Sequence, residues 1–248
     1  MSSKQEVQVR FLHCAPIFMC TDHHTKYLMS LYTIFDTHQG KEMLKWHHYF
    51  PVYEKHFSSW VNKPTTFLEI GVFHGGSLQM WRRYFGPLAT IIGIDINPEC
   101  KAHEENGVHV RIGDQSDPVF LQQIIDEFGI PDVVIDDGSH IALHQRASFE
   151  FFYPKMPKMG CYVVEDVHTA YWPESYGFDG GVNNPNSFAN YSKKLIDDLN
   201  ADHTVGAIVP TDFTKYTWCM SFYDSMIVFD RGTIPRKGMV YSGTKPKE

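Results

Sequence analysis

The chain has 248 residues, 43% of them apolar and 21% charged, and a formal charge of −7. That is long for one domain and short for two, so a single α/β domain with an added cap is expected and a disordered tail protein is excluded. Lys and Arg are scattered and outnumbered, which argues against a nucleic-acid partner and for a small molecule.

Residues 1 to 62 are rich in His and aromatic side chains and poor in Gly. They read as an N-terminal cap with helical pieces at Tyr27–Tyr32 and Tyr49–Phe57. His23-His24 and His47-His48 read as hydrogen-bonded or surface histidines, because neighbours on a helix point in different directions. Cys14, Cys20, Cys100, Cys161 and Cys219 are odd in number and form no C-x-x-C pair. Neither a disulfide framework nor a structural zinc site is indicated, and a reducing cytoplasm is the expected setting. No stretch approaches the roughly twenty apolar residues that span a bilayer, so a soluble, unprocessed protein is expected.

From residue 63 to 248 the pattern changes to strand, turn, helix, strand, repeated. Thr66–Ile70, Thr90–Asp95, Val108–Ile112, Val133–Ile135 and Cys161–Glu165 read as five strands. A helix is expected to start at Leu78. Leu121, Ile124, Ile125 and Phe128 recur at helical spacing between Pro118 and Gly129, and Leu143, Ala147 and Phe151 mark a further helix. The alternation βαβαβαβ predicts a Rossmann-like, doubly wound, mostly parallel sheet whose ligand-binding loops share one edge. Residues 172 to 187 form a turn-rich aromatic loop, a lid candidate. A helix over Phe188–Leu199 and a C-terminal antiparallel strand pair, Tyr216–Phe222 and Ser225–Phe229, complete the chain.

Two strands end abruptly in paired acids, Asp136-Asp137 and Glu165-Asp166, with His140 and His168 close behind. Four carboxylates and two imidazoles are thereby expected to converge at neighbouring strand ends. Repulsion among them calls for a cation or a shared proton, and oxygen ligands point to Mg²⁺, with Mn²⁺ as the alternative. Upstream, Glu69-x-Gly71-x-x-x-Gly75-Gly76 lies between a strand and a helix but lacks the second glycine of a dinucleotide fingerprint and the G-K-[ST] of a P-loop. Glu69 and Asp95, acids on the first two strands, instead suit a ligand with an amino group and a ribose diol, and Ser77 suits its carboxylate.

The segments FLEIGVFHGGSLQMW, IIGIDINP, GDQSD, DVVIDDGSH, VVEDVHTAYWPESYG, YSKKLIDDLN and FYDSMIVFDRG carry a specific resemblance. The chain resembles class I S-adenosylmethionine-dependent methyltransferases, in particular the metal-dependent macrolide-sugar O-methyltransferases of the mycinamicin type, from Thr65 onward. HHYFPVYEKHF resembles the family's segment before the catalytic core. The family enzymes carry a further N-terminal domain, for which no counterpart is expected in this shorter chain. The resemblance implies that Gly71 and Ser77 lie near the methionine part of S-adenosylmethionine, Asp95 binds the ribose, and Asp114 with Gln115 reaches the adenine. It implies Asp137, Glu165 and Asp166 as Mg²⁺ ligands and His140 as the base. Asp136 is placed with the cofactor or behind His140, and the choice stays open.

The function expected is transfer of the methyl of S-adenosylmethionine to a hydroxyl of a small glycoside or related diol. A divalent ion and an imidazole base suit that deprotonation. Two alternatives stand beside it: an iron-dependent hydroxylase, which cephalosporin-hydroxylase-like members of the family suggest, and a non-catalytic S-adenosylmethionine sensor. No nucleic acid and no membrane is expected as partner, a homo-oligomer is allowed, and the acceptor is left unidentified. A softer metal site at His140 and His144, which are four residues apart, requires both to be helical. Tyr171, Trp172, Tyr176 and Phe178 are candidates for an apolar acceptor wall.

Overall fold

The apolar runs form one seven-stranded sheet in a computed structural model that describes residues 29–178, 180–233 and 237–243. Cys14, Cys20, His23-His24 and the first two residues of the Tyr27–Tyr32 piece lie outside the described residues. In chain order the elements are α1 (Leu31–Asp36), α2 (Phe50–Phe57), β1 (Thr65–Ile70), α3 (Gly76–Phe85), β2 (Ala89–Asp95), β3 (Val108–Ile112) and α4 (Pro118–Phe128). They continue with β4 (Val133–Asp136), α5 (Ala142–Phe152), β5 (Cys161–Val164), α6 (Phe188–Leu199), α7 (Asp212–Tyr216), β6 (Thr217–Tyr223) and β7 (Met226–Arg231). The sheet order is β3-β2-β1-β4-β5-β7-β6. β1 to β5 run parallel and the final hairpin adds antiparallel to β5, as the alternation and the closing strand pair predict. Strand order reverses between β1 and β4, the position where open α/β sheets split to admit ligands.

The expected alternation fails once. Between β2 and β3 the chain makes only a 3-10 turn, Pro98–His103, opened by Pro98 and capped by the Asn97 side chain. The link is too short for an amphipathic helix, and Lys101 closes it by donating to the Val110 carbonyl. Elsewhere the local signals act as they read: Asp117 caps α4 through the Val119 amide, Pro118 opens it, and Gly129 stops it with φ +83.

Each face of the sheet carries its own core. Phe67, Ile91, Val133, Ile135 and Val163 face α1, α2 and α3. Leu68, Ile92, Val134, Tyr162 and Val164 face α4, α5 and α6. These two sets alternate along each strand, as the period of two requires. Residues 31 to 57 are packed into the first core: Tyr53 and Phe57 are fully buried, and Phe57 meets Phe67, Trp81 and Phe85 at ring centroids 5.9 to 6.5 Å apart. Truncating Phe57 to Ala deletes a ring from a close-packed aromatic cluster. The expected loss is about 3–5 kcal/mol of unfolding free energy in a urea titration.

At the split, Gly71 has φ +95, and a Cβ there would lie 2.2 Å from the backbone carbonyl oxygen of Asp137. Both the left-handed backbone and the close approach of the β1 and β4 ends require glycine. Gly71→Ala is expected to cost about 2 kcal/mol or more, because the obstruction is backbone rather than a side chain that can turn away; an unchanged urea midpoint would contradict this.

Candidate active site

Three carboxylates leave the same face of the sheet at neighbouring strand ends. Glu69 pairs in register with Ile135, and Ile135 with Val163. Asp137 and Glu165 stand two residues beyond those partners, so all three acids share one face across β1, β4 and β5. Glu69 is fully buried and accepts from Ser77 Oγ at 2.6 Å and Trp81 Nε1 at 3.1 Å. Glu165 is 1% exposed and accepts from Tyr53 Oη at 2.6 Å.

Among these acids sits Lys45, from the irregular segment between α1 and α2. Its ammonium lies 2.6 Å from Asp137 Oδ2, 3.0 Å from Glu165 Oε2 and 3.3 Å from Glu69 Oε1, and its side chain is 2% exposed. Burial alone would lower its pKa, but the attraction of Asp137, Glu165 and Glu69 outweighs that and holds it well above the usual lysine value. Burial also pushes Glu69 and Glu165 above the usual carboxylate range, while Lys45 pulls both back. Lys45 carried no signal in the sequence: a lone lysine in a polar stretch looks like any surface lysine. Only the strand periodicity that stacks three acids on one face could have shown that a cation was required there.

The expected convergence of four strand-end acids is divided by the same periodicity. Asp136, one residue from Asp137, points to the opposite face. It is fully buried there, accepting from Ser148 Oγ at 2.5 Å, Gln115 Nε2 at 3.1 Å and Tyr162 Oη at 3.3 Å. Burial raises its pKa and the Ser148 and Gln115 hydrogen bonds oppose the rise. Asp136 and Glu69 are not among the residues that line the cavities, whereas Gly71, Ser77, Asp95, Asp114 and Gln115 are.

Asp166 turns outward from Glu165 because its backbone is left-handed, φ +53. His140, φ +56, turns inward from the β4 side to meet it. Asp and His are among the residues that tolerate this conformation best. His140 Nε2 lies 3.7 Å from Asp166 Oδ2 and 3.9 Å from Asp137 Oδ1. One donor atom from each of Asp137, His140 and Asp166 falls within 4.8 Å of the others. Tyr49 Oη donates to Asp166 at 2.6 Å and is in turn 2.9 Å from Ser225 Oγ in the β6–β7 turn. His168 Nδ1 also contacts Ser225 Oγ. Among the described residues, His140 Nδ1 is buried without a hydrogen-bond partner. His144 is not its metal-binding mate: it bonds Ser139 Oγ at 3.0 Å, and α5 begins only at Ala142, after the His140 turn.

Cavities on two sides meet at Asp137 and Asp166, with His140 on the first side. The first side comprises a recess of about 200 Å³ lined by Ile70, Gly71, Asp95, Asp114, Gln115 and Ser139, and an adjoining one of about 330 Å³ that reaches Ser77, Asp137, His140 and Asp166. Asp95 braces the glycine turn, accepting from the Val72 amide at 2.8 Å. Asp114 accepts from the Ser116 amide at 2.7 Å and its hydroxyl at 2.8 Å, hydrogen bonds that hold its pKa below the ordinary value. On the second side a cavity of about 380 Å³ is walled by Leu44, Trp46, His47, Tyr49, His168 and Trp172 and floored by Asp137, Glu165 and Asp166. Of the candidate aromatic wall residues, Trp172 lines this cavity, while Tyr171, Tyr176 and Phe178 do not.

No known family profile matches the chain. It is 39% identical over 166 residues to 8-demethyl-8-alpha-L-rhamnosyl tetracenomycin-C 2'-O-methyltransferase of Streptomyces olivaceus, covering 63% of this chain and 43% of that protein. It is 41% identical over 161 residues to mycinamicin VI 2''-O-methyltransferase of Micromonospora griseorubida, covering 62% and 39%. The chain thus spans about two fifths of the length of these curated relatives. Among solved structures, the MycE methyltransferase of the mycinamycin biosynthetic pathway, in complex with Mg, SAH and mycinamycin VI, superimposes with a TM-score of 0.73 at 30% identity. The match covers 85% of this chain and 57% of that one. By strand order and by sequence the chain has the class I methyltransferase fold, and over the matched segment it is homologous to the tetracenomycin and mycinamicin O-methyltransferases.

Proposed function

We propose that the chain is an S-adenosylmethionine- and Mg²⁺-dependent O-methyltransferase acting on a hydroxyl of a small glycoside or related diol. The observation that carries this reading is the position of Asp137 and Asp166 at the junction of two cavities, one lined by the glycine turn and His140 and the other by aromatic side chains. The proposal takes residues 63–248 as the methyltransferase domain and 1–62 as a cap. A reducing, cytoplasmic setting suits the free Cys100, Cys161 and Cys219. Among the described residues no helix is long and apolar enough to cross a membrane.

In this reading Gly71 and Ser77 border the methionine part of the donor, Asp95 its ribose, and Asp114 with Gln115 its adenine. Glu69 acts one step removed, by orienting the Ser77 hydroxyl. Asp136 acts likewise through Gln115, whose amide nitrogen it receives and whose Oε1 accepts from the Ser139 amide at 2.9 Å. The acceptor lies against Trp46, His47 and Trp172, flat side chains that suit a sugar ring with one apolar face.

The donor set tests well for a hard divalent ion: carboxylate oxygens predominate, and the Asp137, His140 and Asp166 atoms lie within reach of one another. Asp137, Glu165 and Asp166 would hold the ion, which supplies Lewis-acid stabilisation of the developing alkoxide when bound. His140 accepts the acceptor's hydroxyl proton as the oxygen forms its bond to the sulfonium methyl and the carbon–sulfur bond breaks. Products are the methyl ether, S-adenosylhomocysteine and a proton on His140. The left-handed backbone at His140 holds its imidazole toward the junction rather than along α5, which shortens the search for a productive alignment. The hydroxylase alternative is less well supported, since a facial triad takes two His and one carboxylate, whereas this cluster offers one His and two carboxylates.

Two outcomes are expected. With S-adenosylmethionine and a glycoside acceptor, EDTA stops methyl transfer and added Mg²⁺ restores it; full turnover in chelator would refute the metal role. His140→Ala keeps S-adenosylhomocysteine affinity by calorimetry within about twofold but lowers kcat about 10²–10⁴-fold, the range for loss of a general base. Equal losses in affinity and kcat would instead make His140 a structural residue.

A further inference from the structure

We infer that Lys45 is a tethered competitor for the divalent ion: its ammonium holds the acid cage together in the ion's absence and must release Glu165 before the ion can use that carboxylate. The inference rests on the metal-dependent reading above and adds a residue that no sequence motif assigned.

Both oxygens of Glu165 are engaged, Oε1 by Tyr53 at 2.6 Å and Oε2 by Lys45 at 3.0 Å. The inner oxygen of Asp137, Oδ2, is likewise taken by Lys45 at 2.6 Å, whereas Oδ1 faces His140 and Asp166. A cation arriving from the cavities therefore meets Asp137 Oδ1 and Asp166 Oδ2 first, and reaches Glu165 only by replacing the ammonium. Among the described residues Lys45 is the only Lys or Arg paired with any of Glu69, Asp137, Glu165 and Asp166. Its three N–H donors match three acids, so the cage stays closed although it contains more negative than positive charge.

Retreat is available to it. Glu69 lies on the buried side, 3.3 Å from the ammonium, and keeps its own donors from Ser77 and Trp81. Lys45 can give up Glu165 and remain paired. The stretch that carries it, residues 42–46, is neither helix nor strand, and it is fastened upstream by the Gly76 amide on the Glu42 carbonyl at 3.2 Å. Downstream it enters the 3-10 turn His47–Tyr49. Leu44 and Lys45 line both the donor-side and the acceptor-side cavities, so exchange of ammonium for ion also resets the partition between them.

The test uses the full chain and MgCl₂ alone, with no donor or acceptor present. Calorimetric titration and thermal unfolding, with and without EDTA, are compared for wild type, Lys45→Met, Lys45→Gln and Lys45→Arg. Lys45→Met and Lys45→Gln are expected to bind Mg²⁺ about tenfold or more tightly than wild type. They are also expected to unfold at lower temperature in EDTA and to regain that loss as Mg²⁺ is added, because the ion then occupies a cage without a resident cation. Lys45→Arg retains a cation, and its EDTA melting temperature stays near wild type. Equal or weaker Mg²⁺ binding by Lys45→Met and Lys45→Gln, beside measurable binding by wild type, overturns the role of Lys45 and leaves the metal reading standing. Absence of Mg²⁺ binding in wild type and both neutral variants overturns the metal reading and this inference with it.

Discussion

The buried ammonium of Lys45 and the three carboxylates around it are the constraint on which the rest of the site depends. Glu69, Asp137 and Glu165 come from three adjacent parallel strands and share a face because side chains alternate with a period of two. Carboxylates so placed cannot stay charged and dry without a cation in contact. Lys45 supplies it from a segment that belongs to no strand, which fastens the polypeptide before β1 to the centre of the sheet. The aromatic packing of Phe57 does the same work through apolar contact one layer further from the site, and Tyr53 joins the two by packing on Trp81 and donating to Glu165.

The opposite face solves the problem of a buried acid differently. Asp136 is surrounded by the hydroxyls of Ser148 and Tyr162 and the amide of Gln115, neutral donors rather than a charge. Those bonds lock Gln115 and through it the Ser139 amide, so the wall of the recess beside the glycine turn is braced from beneath. Adjacent acids in the sequence thus divide their work between the two faces. Asp137, Glu165 and Asp166 border the cavities, whereas Asp136, on the other face, holds the parts behind them.

Much of this was legible in the sequence, and what was not has a physical reason. Apolar runs ending in acids revealed β4 and β5, and the Leu121, Ile124, Ile125 and Phe128 spacing revealed α4 with both of its ends. The glycine turn was legible through Gly71, whose positive φ is a backbone requirement that composition exposes. The link between β2 and β3 was misread because alternation is a statement about the average α/β unit, whereas Pro98–His103 closes in a single tight turn. Lys45 and Tyr49 were invisible because contacts across 92 to 120 residues leave no local pattern. The grouping of Asp136 with Asp137 failed for a simpler reason: proximity along a strand is opposition across it.

The turn of the last hairpin has a consequence beyond closing the sheet edge. Ser225, at φ +63, places one hydroxyl against both Tyr49 and His168, while its carbonyl accepts from the Val167 amide at 2.9 Å. Tyr49 continues that chain of contacts to Asp166. The aromatic-walled cavity is therefore built from residues 44 to 49, Asp137 and residues 165 to 172 and braced by the hairpin turn at Ser225, whereas the glycine turn and its bracing acid come from a compact run of residues between 69 and 95. Such an arrangement lets a change at a distant hairpin tip reshape the aromatic-walled cavity while the glycine-turn recess is left undisturbed.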